Sequence, residues 1–242
     1  MLMLIVDRVG PLVTVQDAGR FGHAREGVPF AGPLDEELWR RTVDAVGSDV
    51  AIEIPLMGAR FRFDGEVSID GELVRGPVIE VPHGERAVRY VAIAGGLDVP
   101  VVMGSRCSFG RALAAGDRIG VGAQRTLPRP LAPVSEGPLA IIPTFDAPPE
   151  TLHAIARAVF TIDARSNRVG TRLTGSVPAP RPGLSRPIVA GAMQIPPDGA
   201  PIVIGPDGPT TGGYPVVAVL PRQSRDRLAR LRPGAAVRFT IA

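Results

Sequence analysis

The sequence predicts a mainly β chain of two related halves, each a small barrel carrying one short helix or two. Three observations lead there. Short runs rich in Val and Ile, bounded by Gly, Pro or Asp, recur along the whole chain. Only three stretches carry helical spacing, and they do not alternate with the strands as a βαβ sheet would require. The same order of elements occurs twice: a helix, then apolar runs, then a Leu, a Gly-containing turn and a closing β run.

The opening run MLMLIVDRV has neither a basic leading segment nor a small-residue cleavage site, so it reads as a strand and not as a signal peptide. A long polar loop, Thr14 to Asp35, follows. Pro33 to Gly47 is a helix by its apolar face of Leu38, Thr42, Val43 and Val46, its early acids and its terminal Gly. The runs DVAIEIPLMGARF, GARFRFDGEVSIDG, GPVIEVP and AVRYVAIAGG are strands, and ALAAGDRIGVG closes the first half. Arg125 to Pro138 is proline-rich and aperiodic and reads as a linker, which places the halves at residues 1–130 and 138–242. The second half begins with PLAIIP. Its helix, Pro148 to Phe160, has Leu152, Ile155, Ala156 and Val159 at helical spacing and Pro149 near the start. RVGTRLTGS, PIVIG and YPVVAVL are strands, PRQSRDRLARL is a third helix, and LARLRPGAAVRFTIA repeats the earlier ending.

Composition narrows the chemistry. At 242 residues and 45% hydrophobic, the chain can bury a large core. All 27 basic residues are arginine, which excludes a Schiff-base lysine, a Walker-A lysine and a lysine base from this chain. The net charge is only +3, with acids interspersed and no basic run interleaved with aromatics, so nucleic acid is not an expected partner. No apolar stretch is long enough to span a bilayer, so a membrane is not expected either. The lone Cys107 fits a reducing, cytoplasmic setting and reads as a buried thiol, although Arg106 and Arg111 stand near it. His23, His83 and His153 are too far apart in sequence to suggest a metal site.

Four stretches could carry chemistry. The Thr14–Asp35 loop packs Gln16, Asp17, Arg20, His23 and Arg25 among glycines; it is either a ligand loop or a solvated one whose Asp17 and Asp35 make turn and cap bonds. Asp17 beside Arg20 would favour a charged pair. DARSNRVGTRL sets Arg165, Arg168 and Arg172 around Ser166 and Asn167, a pattern that suits carboxylates or an exposed twisted strand. Gln194 is a lone large polar residue in an apolar strand, and its amide needs a backbone partner or a ligand. PTTGGYPVVAVL places Thr210, Thr211, Gly212, Gly213 and Tyr214 in front of a strand. It is either a turn in which the glycines take positive φ or a binding loop. No Ser-His-Asp order, nucleotide-binding glycine fingerprint or zinc spacing appears.

Taken in order, TVQDAGRFGHAREGVPFAGPLD, SNRVGTRL, GAMQIPPDGAPIVI and TTGGYPVVAVL resemble the biotin-dependent carboxyltransferase family, also called allophanate hydrolase subunit 2, which includes the C subunit of 5-oxoprolinase. AGGLDVPVVMGSR and ALAAGDRIGVG fit it too. The resemblance implies two tandem cyclophilin-like β-barrel domains. It implies a protein that works with a B-type subunit related to the Kip kinase inhibitor and with an A-type subunit. The complex would open 5-oxo-L-proline to L-glutamate at the expense of ATP, and the chain would be inactive alone. It also implies two alternatives: a carboxyltransferase component of a urea carboxylase/allophanate-type system, its biotin carried by another chain, or a non-catalytic regulatory partner of a Kip-type inhibitor. ATP is used by the complex, with no cofactor assigned to this chain. Carried over by position, the resemblance points to Gln16, Asp17, Arg20, Ser166, Asn167, Arg168, Arg172, Gln194, Thr210, Thr211, Gly212, Gly213 and Tyr214 as substrate-binding. The chain is shorter than the family's usual length after GSRCS and after PLAIIP, and Asn167, Arg186 and GPDGP depart from its pattern.

Overall fold

The computed structural model of the chain describes residues 2–84, 86–122 and 128–242. Two compact units emerge: Met1–Phe21 with Ala31–Val134, and Gly22–Phe30 with Ser135–Ala242. Of the linker, Arg125 to Leu127 lie outside the described residues.

The first unit is two five-stranded antiparallel sheets around one core. One sheet runs Val78–Val81, Ala59–Arg62, Met3–Arg8, Arg118–Val121, Leu97–Asp98; the other runs Thr14–Gln16, Ala51–Pro55, Val88–Ile93, Glu66–Ile69, Glu72–Arg75. The alternation expected of half-buried strands is plain in Ala59–Arg62, where Ala59 and Phe61 are buried while Arg60 and Arg62 are exposed. Leu4, Phe61 and Ile79 from the first sheet and Val15, Ile52 and Ile93 from the second share the core. The run GARFRFDGEVSIDG, predicted as one stretch, is two strands in different sheets.

Helix α1, Glu36–Val46, covers the outer face of the second sheet. Its signals are those the sequence displays. Asp35 accepts a hydrogen bond from Leu38 N–H at 3.0 Å as the N-cap, and Gly47 ends the helix in the left-handed region at φ 61°. Leu38, Thr42, Val43 and Val46 are all buried.

The second unit is a nearly closed barrel. Its eight-stranded sheet runs Ala236–Val237, Phe160–Ile162, Gly170–Thr174, Ile202–Ile204, Ala192–Gln194, Val216–Val219, Leu139–Pro143, Phe239–Ile241. The two edge strands are neighbours in sequence, separated only by Arg238. The last run of the chain therefore pairs antiparallel with Phe160–Ile162 through its first part and parallel with Leu139–Pro143 through its second. One strand thus closes the circle and removes both edges. Helix α2 is Pro149–Arg157, shorter than predicted. Ala158 turns extended, Val159 is 48% exposed, and Phe160 enters the barrel to pack against Phe239. Helix α3 is Arg222–Ala229.

The described part of the linker has no helix or strand, and hydrogen bonds hold it to its own unit on each side. Within the first unit, Arg129 N–H donates to Asp44 O, and Arg41 donates to Ala132 O. Within the second, Arg227 donates to Glu136 O and Pro138 O, and Arg230 donates to Ser135 O.

Candidate functional site

The residues singled out in the sequence divide between the units, with Gln16, Asp17 and Arg20 in the first and the other ten in the second. In the first unit these side chains build a root for the Val102–Ser108 segment. Asp17 Oδ1 accepts from Gly19 N–H (2.9 Å), Ser105 Oγ (2.7 Å) and the Cys107 thiol (3.0 Å), and Oδ2 accepts from Arg106 N–H (2.6 Å). Arg20, 3% exposed, donates to Val102 O and Cys107 O and lies 4.9 Å from the Phe109 ring centre. The expected Asp17–Arg20 pair is therefore absent, because the Ser105–Cys107 segment supplies both with better-placed partners. Gln16 is buried; its Nε2 donates to Thr14 Oγ1, and its Oε1 has no hydrogen-bond partner among the described residues.

Burial pushes the Asp17 carboxyl up, but the four hydrogen bonds outweigh it and hold the group below its usual value. Burial pushes the Cys107 thiol up, so the nearby arginines do not activate it. Since the folded value of Asp17 lies below the ordinary 3.8, its ionised form contributes fully above that pH, and the contribution is lost as pH falls through the folded value. Asp17→Asn is expected to cost about 1–2 kcal/mol at neutral pH, with the penalty shrinking through the carboxyl range. Urea midpoints of both proteins across pH check this.

In the second unit the strand register assembles a polar row. Arg172 and Gln194 both face Ile202, one from each neighbouring strand, so all three side chains point to the same side of the sheet. Thr171, Val203 and Met193 alternate with them, and Val203 and Met193 are in the core, so the polar row lies on the outside of the barrel. At two strand spacings, the Cα atoms of Arg172 and Gln194 stand about 10 Å apart.

Three arginines flank this row, and their partners separate them. Arg165 is bound by Asp163, with Nη2–Oδ2 at 2.6 Å. Arg168, buried, grips Asp207 with two bonds, Nε–Oδ2 at 2.7 Å and Nη2–Oδ1 at 2.8 Å, tying the SNRVG turn to the GPDGP turn. The Arg172 guanidinium makes no hydrogen bond or ion pair among the described residues and is exposed. Ser166 Oγ holds the backbone of Arg172, accepting from its N–H at 3.0 Å and donating to its carbonyl at 3.3 Å. Asn167 caps its own turn by accepting from Val169 N–H. The Arg165 guanidinium holds the Asp163 carboxyl down to about 2, and Arg172 adds to this less strongly.

The TTGGYP segment lies against Gln194. Thr211–Gly212 pairs antiparallel with Arg186–Pro187 as a two-stranded ribbon, Ile188 N–H donates to Thr210 O, and Gln194 Nε2 donates to Tyr214 O at 3.3 Å. The hydroxyls of Thr210, Thr211 and Tyr214 make no hydrogen bond among the described residues, and Tyr214 is 46% exposed. The expectation that Gly212 and Gly213 supply positive φ is corrected: neither is in the left-handed region. Gly212 is needed for space. A Cβ there would stand 2.4 Å from Ile188 Cδ1 and 3.1 Å from Gln194 Nε2. Strand register, which a sequence window cannot display, is what brings Gln194, Arg172 and this ribbon together.

Glu53, not singled out in the sequence, is a second feature of this kind in the first unit. It is fully buried in the strand Ala51–Pro55 and accepts from Tyr90 O–H and Leu34 N–H. A lone acid in the run AIEIP was the available signal.

A model of the carboxyltransferase domain, subdomain A and B, matches residues 70–241. The chain belongs to this family. Among curated relatives, carboxyltransferase-domain chains named as the C subunit of 5-oxoprolinase are 31% identical in Escherichia coli (98% of this chain, 90% of the relative) and 28% identical in Haemophilus influenzae (93% and 87%). Urea amidolyase of Lachancea kluyveri is 27% identical, but this chain spans only 16% of it. The crystal structure of TTHA0988 superposes with a TM-score of 0.87 at 29% identity over 99% of this chain, which covers 55% of that one. The Kluyveromyces lactis urea amidolyase structure gives 0.81 at 25%, with 18% of its chain covered. The chain thus spans about half of the TTHA0988 chain and less than a fifth of the urea amidolyases. The alignment with the Escherichia coli relative runs over 285 positions against 242 residues here, so it opens gaps in this chain.

Within this carboxyltransferase domain, Gly212→Ala is expected to push the ribbon off Gln194 while sparing the barrel. The Tm should change little, whereas the Gln194 side-chain amide signals in NMR spectra should move. Unchanged signals would mean that the glycine is dispensable.

Proposed function

We propose that this chain is the C-type subunit of an ATP-dependent 5-oxoprolinase that opens 5-oxo-L-proline to L-glutamate together with a Kip-inhibitor-like B-type subunit and an A-type subunit. The observation that carries the reading is the near end-to-end match to two relatives named as the C subunit of 5-oxoprolinase. The Arg172–Gln194 row supports it chemically. A cyclic amide bearing a carboxylate needs a cation for the acid and neutral donors for the carbonyl, and the row and its ribbon offer an unpaired guanidinium, three hydroxyls and an amide. Arg172 binds the carboxylate, while Thr210, Thr211 and Gln194 orient the ring amide for attack. Arg168 and Ser166 position these groups without touching the substrate. Phosphate chemistry with ATP, and the chain's inactivity alone, are assigned to the division of labour with the partner subunits.

Carboxyl transfer is the second reading, favoured by the family description and the urea amidolyase relatives. Biotin would supply an activated carboxyl group there. With no lysine in the sequence, its attachment point would be on another chain. A complex co-purified with A- and B-type chains separates the readings: glutamate release from 5-oxoproline supports the first, and carboxylation of urea by an added biotin carrier supports the second. A stable complex doing neither would favour a regulatory partner.

A further inference from the structure

The first unit holds a cavity of about 330 Å³ that the proposed reaction does not use. It lies where the C-terminal end of helix α1 meets the glycine-rich turn after strand Val88–Ile93, and Asp49, Asp98 and Arg106 are its charged lining residues. Arg106 is rooted by its own backbone N–H on Asp17, and its Nη1 reaches Asp49 Oδ2 at 2.8 Å. The remaining guanidinium donors make no hydrogen bond among the described residues, and neither does Asp49 Oδ1. Asp98 is exposed, and its carboxylate has no hydrogen bond or ion pair there.

Gly96 shapes the space. Its φ of +74° requires glycine, and a Cβ built on it would stand 3.7 Å from Asp49 Oδ1. The missing side chain therefore leaves room directly in front of that carboxylate oxygen. Ser48 is no competing ligand, because its hydroxyl closes back on Val50.

The charge pattern selects the ligand. An anion reaching for Arg106 would meet two carboxylates in the same cavity, and a simple cation would compete with Arg106 for Asp49. A molecule offering both signs satisfies all three groups. The volume lies at the low end of the ~300–1,000 Å³ range of ligand pockets, enough for a small metabolite and short of a nucleotide. We propose that this cavity is a site for a small zwitterion of the α-amino acid class, with its ammonium on Asp98 and Asp49 and its carboxylate on Arg106. The proposal stands whatever the second unit binds.

The test is an NMR titration of the whole chain with glycine, acetate and methylamine as separate probes. Glycine is expected to shift the backbone amide signals of Gly96, Asp98 and Gly122 saturably, with acetate and methylamine at least about tenfold weaker (~1.4 kcal/mol). Asp98→Asn, at an exposed and unpaired position, should keep the fold and weaken glycine binding about tenfold. The absence of a saturable shift with glycine, equal binding of either single-charge probe, or an unaltered response in Asp98→Asn would each overturn the proposal.

Discussion

Arg172→Gln is expected to lower kcat/KM for 5-oxoproline in the assembled system by about 10²-fold, equivalent to ~3 kcal/mol. The side chain lies outside the barrel core and makes no hydrogen bond or ion pair among the described residues, so its loss should leave Tm and complex formation unchanged. The magnitude is that of removing a guanidinium from a carboxylate that it alone neutralises. The loss should be confined to the carboxylated substrate. 2-Pyrrolidinone, which has the ring amide but no acid, should be handled equally by both proteins. Arg157→Gln, at the exposed end of helix α2, is the neutral control. Arg165→Gln is informative in the opposite sense: it frees Asp163, whose carboxylate can then compete for Arg172 and weaken substrate binding. Equal loss on both substrates would move the carboxylate contact elsewhere.

Tyr90→Phe is expected to destabilise the protein by about 2–4 kcal/mol. Tyr90, Glu53 and Asp35 are all fully buried. The phenol donates to Glu53 Oε2 at 2.7 Å and accepts from Asp35 N–H at 3.0 Å, while Asp35 caps helix α1. One hydroxyl therefore fastens the start of the helix to the outer face of the sheet. Without it, a buried carboxylate and a buried N–H each lose a partner, and the lost oxygen leaves no room that water could readily fill. Burial, followed by the charges of Glu53 and Asp35, pushes the Tyr90 hydroxyl well above its ordinary range, so it remains a donor at any working pH. Urea midpoints check the magnitude, with Tyr214→Phe, at an exposed phenol, expected to change nothing. A shift below about 0.5 kcal/mol would place the network outside the stability account.

The fold was legible where the signals are local. Asp35, Gly47 and the Leu38–Val46 face define helix α1, because capping and periodicity act within a few residues. The end of α2 was misplaced because burial of Phe160 in the barrel overrides a helical spacing that continued through Val159. The site was legible as residue types but not as an arrangement. Asp17 and Arg20 look like partners three residues apart, yet the chain returns about ninety residues later with Ser105 and Cys107 to satisfy both. The two glycines of TTGGYP looked conformational, whereas Gly212 is a matter of space beneath Ile188. Arg172 could not be separated from Arg165 and Arg168 until Asp163 and Asp207 were seen to occupy the other two.

The central claim is that this carboxyltransferase-domain chain completes a 5-oxoprolinase. ATP hydrolysis by the reconstituted three-chain assembly, measured with and without 5-oxoproline, tests it most directly. Hydrolysis that rises on adding 5-oxoproline, with glutamate released in parallel and only when all three chains are present, is the predicted result. A stable three-chain complex whose ATP hydrolysis ignores 5-oxoproline and which releases no glutamate would contradict it.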